Sequence, residues 1–118
     1  MDQEGWAEQV ATALSRIEEI TVKSLVEERA EGTALTLIDV RKGIECEAGY
    51  IDGALFIPLS DFVEILPEQI KDTNTKLVIY CAGGVRSAVA ADQAMQLGYT
   101  QAYSLQGGFK AWQRYHAQ

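Results

Sequence analysis

Four short apolar runs, each followed by a stretch with helical periodicity, restrict most strongly the folds open to this chain. The runs cover residues 35–40, 54–57, 77–80 and 102–105, and the helical stretches cover residues 42–48, 60–66, 86–97 and 109–115. Strands that alternate with helices form a parallel sheet, because each helix carries the chain back across the sheet. The pattern therefore predicts an α/β fold with a parallel sheet and helices on both faces.

The third run, Leu-Val-Ile-Tyr at residues 77–80, is apolar at every position. A strand without polar alternation is typical of the centre of a parallel sheet, where both faces are covered. Cys81 follows this strand directly. Because ligands bind beyond the carboxyl ends of strands in open α/β sheets, Cys81 is predicted to lie where the chemistry takes place.

An amphipathic helix is predicted before the first of these strands. Trp6, Val10, Leu14 and Ile17 follow one another at spacings of four, four and three residues, which places them on one helix face. We expect residues 1–18 to form this helix and residues 19–118 to form the domain proper. The apolar face either packs against the chain's own domain, which is the commoner arrangement, or docks a protein partner.

Size, charge and hydropathy exclude several classes of protein. A chain of 118 residues is typical of one domain, and no apolar run approaches the roughly 20 residues that span a bilayer. A net charge of −7 disfavours nucleic-acid binding, which needs clustered cations. The first residues lack the basic start and apolar stretch of a secretory signal, so a cytoplasmic location is expected, with no membrane association.

The cysteine and histidine content argues against a metal site and a disulfide framework. Two cysteines, Cys46 and Cys81, are too few for such a framework, and His116 is the sole histidine. A Cys-His hydrolase is also disfavoured, because His116 is distant in sequence from Cys81. No metal is expected.

The segment after the central strand carries the residues with the strongest chemical indications: Cys81, Ala82, Gly83, Gly84, Val85, Arg86 and Ser87. The two glycines allow a tight turn and close approach to a ligand, and a helix is predicted to begin near Arg86. Backbone N–H groups and the positive end of the helix dipole would stabilise a thiolate at Cys81. Arg86 would favour that thiolate or bind an anionic sulfur donor, and Ser87 would cap the helix or hydrogen-bond near the sulfur.

A purely structural interpretation of Cys81 is that it is a small buried residue at a strand end. The Gly-Gly turn, the arginine and the serine that follow are difficult to explain by packing alone. Their combination favours a reactive cysteine.

Three separated motifs make the chain similar to the rhodanese family of sulfurtransferases, in particular to its single-domain members. They are residues 37–41 with 49–54, the loop at 81–87, and residues 105–112. The resemblance implies a rhodanese-like fold with a central parallel five-stranded sheet and, in this chain, an extra N-terminal helix. It also implies that Asp39 and Arg41 are mainly architectural, and that Gly107, Gly108 and Trp112 shape the last strand-to-helix turn.

The same resemblance implies a function. Cys81 would take a sulfane sulfur from a donor, either thiosulfate or a small or protein-bound persulfide, and pass it to a thiophilic acceptor. Residues Ala82 to Arg86 would cradle the outer sulfur, and no metal or organic cofactor would take part. Phosphatases and arsenate reductases of similar fold need a Cys-x5-Arg loop, whereas the spacing in this chain is Cys-x4-Arg, which contracts the cradle towards the size of one sulfur atom.

Three further expectations concern specificity and alternative roles. Glu45 occupies a position where some family members have arginine, which predicts that thiosulfate is a weak donor compared with a persulfide. Cys46 is expected to be a packing residue, although a second thiol could resolve the persulfide as a disulfide. The alternatives are a non-catalytic binding module and a redox sensor that uses the Cys81 thiolate.

Overall fold

A computed structural model of the protein describes residues 3–117. Its strands are β1 (Glu18–Ile20), β2 (Thr36–Asp39), β3 (Leu55–Phe56), β4 (Lys76–Tyr80) and β5 (Gln101–Leu105). Its helices are α1 (Gln3–Arg16), α2 (Val22–Ala30), α3 (Gly43–Glu47), α4 (Phe62–Gln69), α5 (Val85–Gln96) and α6 (Gly108–His116), with a 3-10 turn at Leu59–Asp61.

The five strands form one parallel sheet in the order β1-β5-β4-β2-β3. The continuous apolar strand β4 lies at its centre, where Ile79 pairs with Ile38 of β2 on one side and with Ser104 of β5 on the other. The five-stranded parallel sheet that the sequence predicted is therefore confirmed. All strands point the same way, so their following loops meet at one edge.

Helices cover both faces of the sheet, as predicted. Along β4, Leu77 and Ile79 pack in the cluster that includes residues of α4 and α5, whereas Val78 and Tyr80 pack in the cluster that includes residues of α2 and α6. This alternation follows from the pleat, which directs successive side chains to opposite faces. Both faces of β4 are therefore covered by helices, and Cys81, which follows the strand, is buried.

The N-terminal helix packs against its own chain. Ala13 is fully buried and forms a small cluster with Ala88 and Val89 of α5, and Arg16 pairs with Asp92 at 3.0 Å. The predicted apolar face is wrong at Leu14, which is 48% exposed. The small side chain of Ala13, one position earlier, lets the two helices approach closely, and this turns Leu14 outward. The structure gives no support to a docking helix, and the division at residue 18 stays a prediction.

The sequence pattern did not indicate β1 or α2. The strand β1 reads Glu-Glu-Ile and buries only Ile20, so it lacks an apolar run, and its place at the sheet edge explains why it can be short and polar. The helix α2 begins after Thr21, whose side chain accepts a hydrogen bond from the Ser24 backbone N–H. Among the helices formed by residues 3–117, none has the length and hydropathy that crossing a bilayer requires.

Candidate active site

The loop after β4 holds Cys81 at the start of a tight turn into α5. Gly84 caps the helix with a φ of 103°, a left-handed conformation that favours glycine. A Cβ at this position would also lie 3.5 Å from the Gly107 backbone nitrogen. That distance is an ordinary van der Waals contact, so it is the backbone conformation that favours glycine at position 84.

Three hydrogen-bond donors surround the sulfur of Cys81. The backbone N–H of Gly84 lies 3.1 Å from Sγ, the N–H of Ser87 lies 3.4 Å away, and Ser87 Oγ lies 3.4 Å away. The side chain is only 1% exposed, and this burial raises the pKa of the thiol. The Ser87 hydroxyl and the N–H groups of Ser87, Gly84 and Gly83 outweigh burial, so the pKa of Cys81 is lowered overall. The loop favours a thiolate without a partner base.

Ser87 is itself held by a second serine that sequence reasoning missed. Its Oγ lies 2.8 Å from Oγ of Ser104 on β5, and both serines are fully buried. When the Ser104 hydroxyl donates to Ser87 Oγ, the hydrogen of the Ser87 hydroxyl is available to donate to the Cys81 sulfur. The sequence signal that could have revealed Ser104 is a serine within the apolar run at residues 102–105.

Replacing Ser87 by alanine is expected to raise the pKa of Cys81. The change removes the hydroxyl that most favours the thiolate but retains the backbone N–H groups. The pH dependence of Cys81 alkylation by iodoacetamide, followed by peptide mass, should move to higher pH, because the reactive thiolate then forms only at higher pH. Thr12→Ala on the exposed face of α1 is the control, and an unshifted Ser87→Ala profile would contradict the assigned role.

Arg86 does not stand free beside the sulfur. Its Nη1 and Nη2 atoms donate to Oε1 and Oε2 of Glu45 at 2.7 and 2.9 Å. The two-point contact with Arg86 holds the pKa of Glu45 at about 2, so the ion pair persists in acid where a free glutamate would be protonated. Each side chain is about 30% exposed or less, and the cationic charge beside the loop is therefore largely offset.

The buried pair of Asp39 and Arg41 fixes the segment that carries Glu45. Arg41 Nη2 donates to Asp39 Oδ2 at 2.9 Å and to the Gly49 carbonyl oxygen at 2.8 Å, and Nη1 reaches the Glu45 carbonyl oxygen at 3.4 Å. The guanidinium also lies 4.4 Å from the ring centroid of Phe109. These contacts agree with the architectural role that the resemblance implied.

The turn before α6 supports the predicted reactive loop, residues 81–87. Phe109 N–H donates to the Cys81 carbonyl oxygen at 2.8 Å, and Lys110 N–H donates to the Ala82 carbonyl oxygen at 3.1 Å. Gly108 has a φ of 58°, and a Cβ there would overlap the Cys81 carbonyl oxygen. The two backbones therefore meet so closely that only glycine fits.

Comparison with known proteins agrees with this arrangement. The model of the rhodanese-like domain matches residues 21–115. The chain belongs to the rhodanese-like family. An uncharacterised Bacillus subtilis protein is 42% identical over 77% of this chain and 72% of its own length. The Shewanella oneidensis thiosulfate sulfurtransferase GlpE is 30% identical over 88% of this chain and all of its own length.

A solved structure extends the likeness to the N-terminal helix. A Rhodopseudomonas palustris protein of unknown function, described as a possible tyrosine phosphatase, superimposes with a TM-score of 0.86 at 28% identity, over 98% of this chain and 94% of its own. The superposition therefore covers nearly the whole of both rhodanese-like chains and is not confined to the loop at Cys81.

The remaining predicted residues of this rhodanese-like site form its rim or lie apart from it. Gly83 is exposed and Ala82 is half-buried, while Val85 is 45% exposed and opens to solvent.

Trp112 is half-buried and packs in the core cluster of α2 and α6. His116 contacts the Trp112 carbonyl oxygen at 2.8 Å. Within residues 3–117, no group of three or more His, Cys, Asp or Glu side chains is arranged to hold a metal.

Cys46 is half-buried beside the pair of Asp39 and Arg41, and its expected role as a packing residue stays a prediction. Its Sγ donates to Asp39 Oδ2 at 3.5 Å. Burial and the adjacent Asp39 carboxylate raise the pKa of the Cys46 thiol. A protonated thiol is a poor nucleophile, so this environment does not favour attack on a persulfide at Cys81.

Proposed function

We propose that this rhodanese-like protein is a sulfurtransferase in which Cys81 carries the transferred sulfur as a persulfide. The observation that carries the proposal is the buried sulfur of Cys81, with three converging donors and, among residues 3–117, no acidic or basic side chain hydrogen-bonded to it. Such a site stabilises negative charge on sulfur but offers no general acid for a leaving alcohol or amine. Sulfur transfer requires the stabilised negative charge on sulfur and needs no general acid.

The first half-reaction is an attack by the Cys81 thiolate on the sulfane sulfur of a donor. With thiosulfate, a new S–S bond forms at Cys81, the donor S–S bond breaks, and sulfite leaves with its electron pair. With an organic persulfide, the leaving group is the corresponding thiolate. Cys81 becomes a persulfide in both cases, without any change in the overall redox state.

The second half-reaction passes the outer sulfur to a nucleophile. Cyanide, for example, attacks that sulfur, forms thiocyanate and regenerates the Cys81 thiolate. We assign the loop of Ala82, Gly83, Gly84, Val85 and Arg86 to the outer sulfur, which would extend from Sγ toward the exposed rim. Ser87 contacts Sγ itself, so its role is to set the charge of the nucleophile.

The test is the mass of the native protein after treatment with a donor. Thiosulfate or an alkyl persulfide should add the mass of one sulfur atom, and cyanide should remove it with release of an equal amount of thiocyanate. Hydrolysis of p-nitrophenyl phosphate, measured in parallel, should be absent, because Arg86 is engaged by Glu45 and cannot bind a phosphate freely. Phosphate release without a sulfur adduct would overturn the proposal.

We further propose that the pair of Glu45 and Arg86 makes thiosulfate a weak donor. Thiosulfate is a dianion, and the only arginine of the loop already donates two hydrogen bonds to a carboxylate. The net charge of −7 adds no attraction at longer range. A persulfide carries less charge at its reacting end and is disfavoured less.

Replacing Glu45 by glutamine is expected to raise kcat/KM for thiosulfate by about fivefold, which corresponds to about 1 kcal/mol for a partly exposed ion pair. The change frees Arg86 for the donor dianion. For a small alkyl persulfide, kcat/KM should change by less than about twofold, since its charge is lower. The two donors are compared with cyanide as the common acceptor.

Glu47→Gln is the matched control, because it removes the same charge from the same helix at an exposed position. It should leave both donors unchanged. Equal gains for the two donors in Glu45→Gln, or a gain in Glu47→Gln as large as that in Glu45→Gln, would show that the ion pair does not discriminate between them.

A further inference from the structure

Positive charge is concentrated near the C-terminal end of this acidic chain. Asp92 is its last acidic residue, and the segment that follows, residues 93–118, contains the cations Lys110 and Arg114. Both lie on α6, about one helical turn apart, and both are exposed. Among residues 3–117, neither side chain takes part in an ion pair or a hydrogen bond. The exposed face of α6 is therefore positive, in a chain whose net charge is −7.

These two cations lie beside the reactive loop. Lys110 donates its backbone N–H to the Ala82 carbonyl oxygen at 3.1 Å, so its side chain begins next to the loop. The Arg114 side chain runs back along α6, as helical side chains generally do, and its Nη2 atom lies 3.8 Å from the position of a Cβ on Gly107. The Gly107 backbone nitrogen in turn lies 3.5 Å from the corresponding position on Gly84. Both cations are thus on the β5 side of the loop.

The reactive loop adds little net charge of its own to this surface. The guanidinium of Arg86 is bound by both carboxylate oxygens of Glu45, which belongs to the segment after β2. Val85 is apolar and 45% exposed on the rim. The surface around Cys81 is therefore apolar at Val85, offset in charge at the ion pair and positive at α6. Such an uneven distribution of charge orients a charged partner.

The positive side of this surface is suited to a macromolecule. An open depression of about 370 Å³ lies there, and Arg114, Gln106 and Tyr115 are among the residues that line it. Cys81 is only 1% exposed, but the outer sulfur of its persulfide would extend from Sγ by an S–S bond of about 2 Å. A molecule that contacts α6 and reaches that sulfur at the same time has to span the rim. A protein with a surface thiol can do so, whereas cyanide and thiosulfate are too small.

We propose that the exposed face of α6 docks an acidic protein whose thiol takes the outer sulfur from Cys81. The assignment rests on the proposed function, because Cys81 must first hold the sulfur as a persulfide. Carboxylates of the partner would pair with Lys110 and Arg114, and an apolar side chain would cover Val85. At physiological ionic strength charges more than about 8 Å apart are largely screened, so the distant acidic residues of the chain oppose this docking only weakly.

The transfer needs no further reactant. The partner's thiolate, RS⁻, attacks the outer sulfur of the Cys81 persulfide and forms a new S–S bond. The S–S bond at Cys81 breaks, and Cys81 leaves as a thiolate that the N–H groups of Gly84 and Ser87 stabilise. The outer sulfur moves with its hydrogen, so the partner becomes R–S–S–H. The numbers of S–S bonds and of thiolates are unchanged, and nothing is oxidised or reduced overall.

The test is a single turnover with two peptides that differ only in charge. The protein is loaded with one sulfur atom by an alkyl persulfide, freed of the donor, and mixed with a peptide whose cysteine is flanked by glutamates or by glutamines. The rate at which the protein loses the mass of one sulfur atom is divided by the rate at which the same peptide reacts with dithiodipyridine, which corrects for the reactivity of its thiol. The glutamate peptide should react about fivefold faster, as expected for two exposed ion pairs. About 0.5 M salt should remove most of this preference.

Substitutions on α6 show whether the two cations cause the preference. Lys110→Gln combined with Arg114→Gln should lower the ratio of the two corrected rates to about one. Arg114→Lys alone retains the charge and should keep most of the preference. Lys71→Gln is the matched control, because it removes an exposed cation before β4, at the opposite end of the sheet. An unchanged ratio in the double variant, or an equal loss in Lys71→Gln, would overturn the docking surface.

The outcomes also separate this proposal from the proposed function. A wild-type protein that no donor can load with sulfur would reject the proposed function and the docking surface with it. A loaded protein that gives its sulfur to cyanide, but to both peptides at equal corrected rates, would retain the function and reject the docking surface. If the double variant slowed loading by thiosulfate as much as transfer to the glutamate peptide, the two cations would attract small anions in general, and the assignment to a protein would be wrong.

Discussion

Replacing Cys81 by serine is expected to lower thiocyanate formation by at least about a thousandfold with every donor. A serine hydroxyl does not ionise at neutral pH and cannot form a persulfide. The hydrogen bonds of Gly84 and Ser87 should remain, because serine differs from cysteine by a single atom. The rate and the donor-dependent mass adduct are measured on the same preparations.

Cys46→Ser is the matched control for this change. Cys46 is the other thiol of the chain, and its position beside Asp39 disfavours the thiolate. Activity and the single-sulfur adduct should both persist in this variant. A sulfur adduct that survives in Cys81→Ser and disappears in Cys46→Ser would move the reactive thiol to Cys46 and refute the proposed mechanism.

The sequence was sufficient for the central part of the fold because that part depends on local patterns. An apolar run of four residues before Cys81 indicated a buried parallel strand, and the structure places it at the centre of the sheet. The glycines, the arginine and the serine that follow were recognisable because they lie within one short loop. Each of these features is encoded within a few neighbouring residues.

Contacts between distant segments could not be predicted in the same way. Glu45 and Arg86 are 41 residues apart, and nothing in either segment alone indicates that they meet. Ser104 reaches Ser87 because β4 and β5 pair in one register. On α1, the periodic pattern predicted that the large side chain of Leu14 is buried. The close approach of α1 to α5 buries the small Ala13 instead.

The geometry of the reactive loop depends on the turn before α6 as much as on the loop itself. The N–H groups of Phe109 and Lys110 bind the carbonyl oxygens of Cys81 and Ala82, and these bonds anchor the start of the loop whose Gly84 N–H faces the sulfur. The third family motif, at residues 105–112, therefore has a mechanical role. It holds the backbone that presents donors to Cys81.

Gly108→Ala tests this role and should be strongly destabilising. The new Cβ would overlap the Cys81 carbonyl oxygen and lie 2.7 Å from the Ala82 carbonyl, and neither backbone can move without loss of a hydrogen bond. We expect the free energy of unfolding in urea to fall by about 3 kcal/mol or more, as overpacking adds to backbone strain. In the molecules that remain folded, displacement of the loop should lower kcat/KM about a hundredfold.

Gly32→Ala separates the two causes. Gly32 also has a left-handed backbone, with a φ of 79°, but a Cβ there would meet nothing within 4 Å. It should cost only about 1 kcal/mol, from the backbone conformation alone, and leave sulfur transfer unchanged. If both variants lost the same stability and Gly108→Ala kept full activity, the contact between residues 107–110 and the reactive loop would have no part in positioning Cys81.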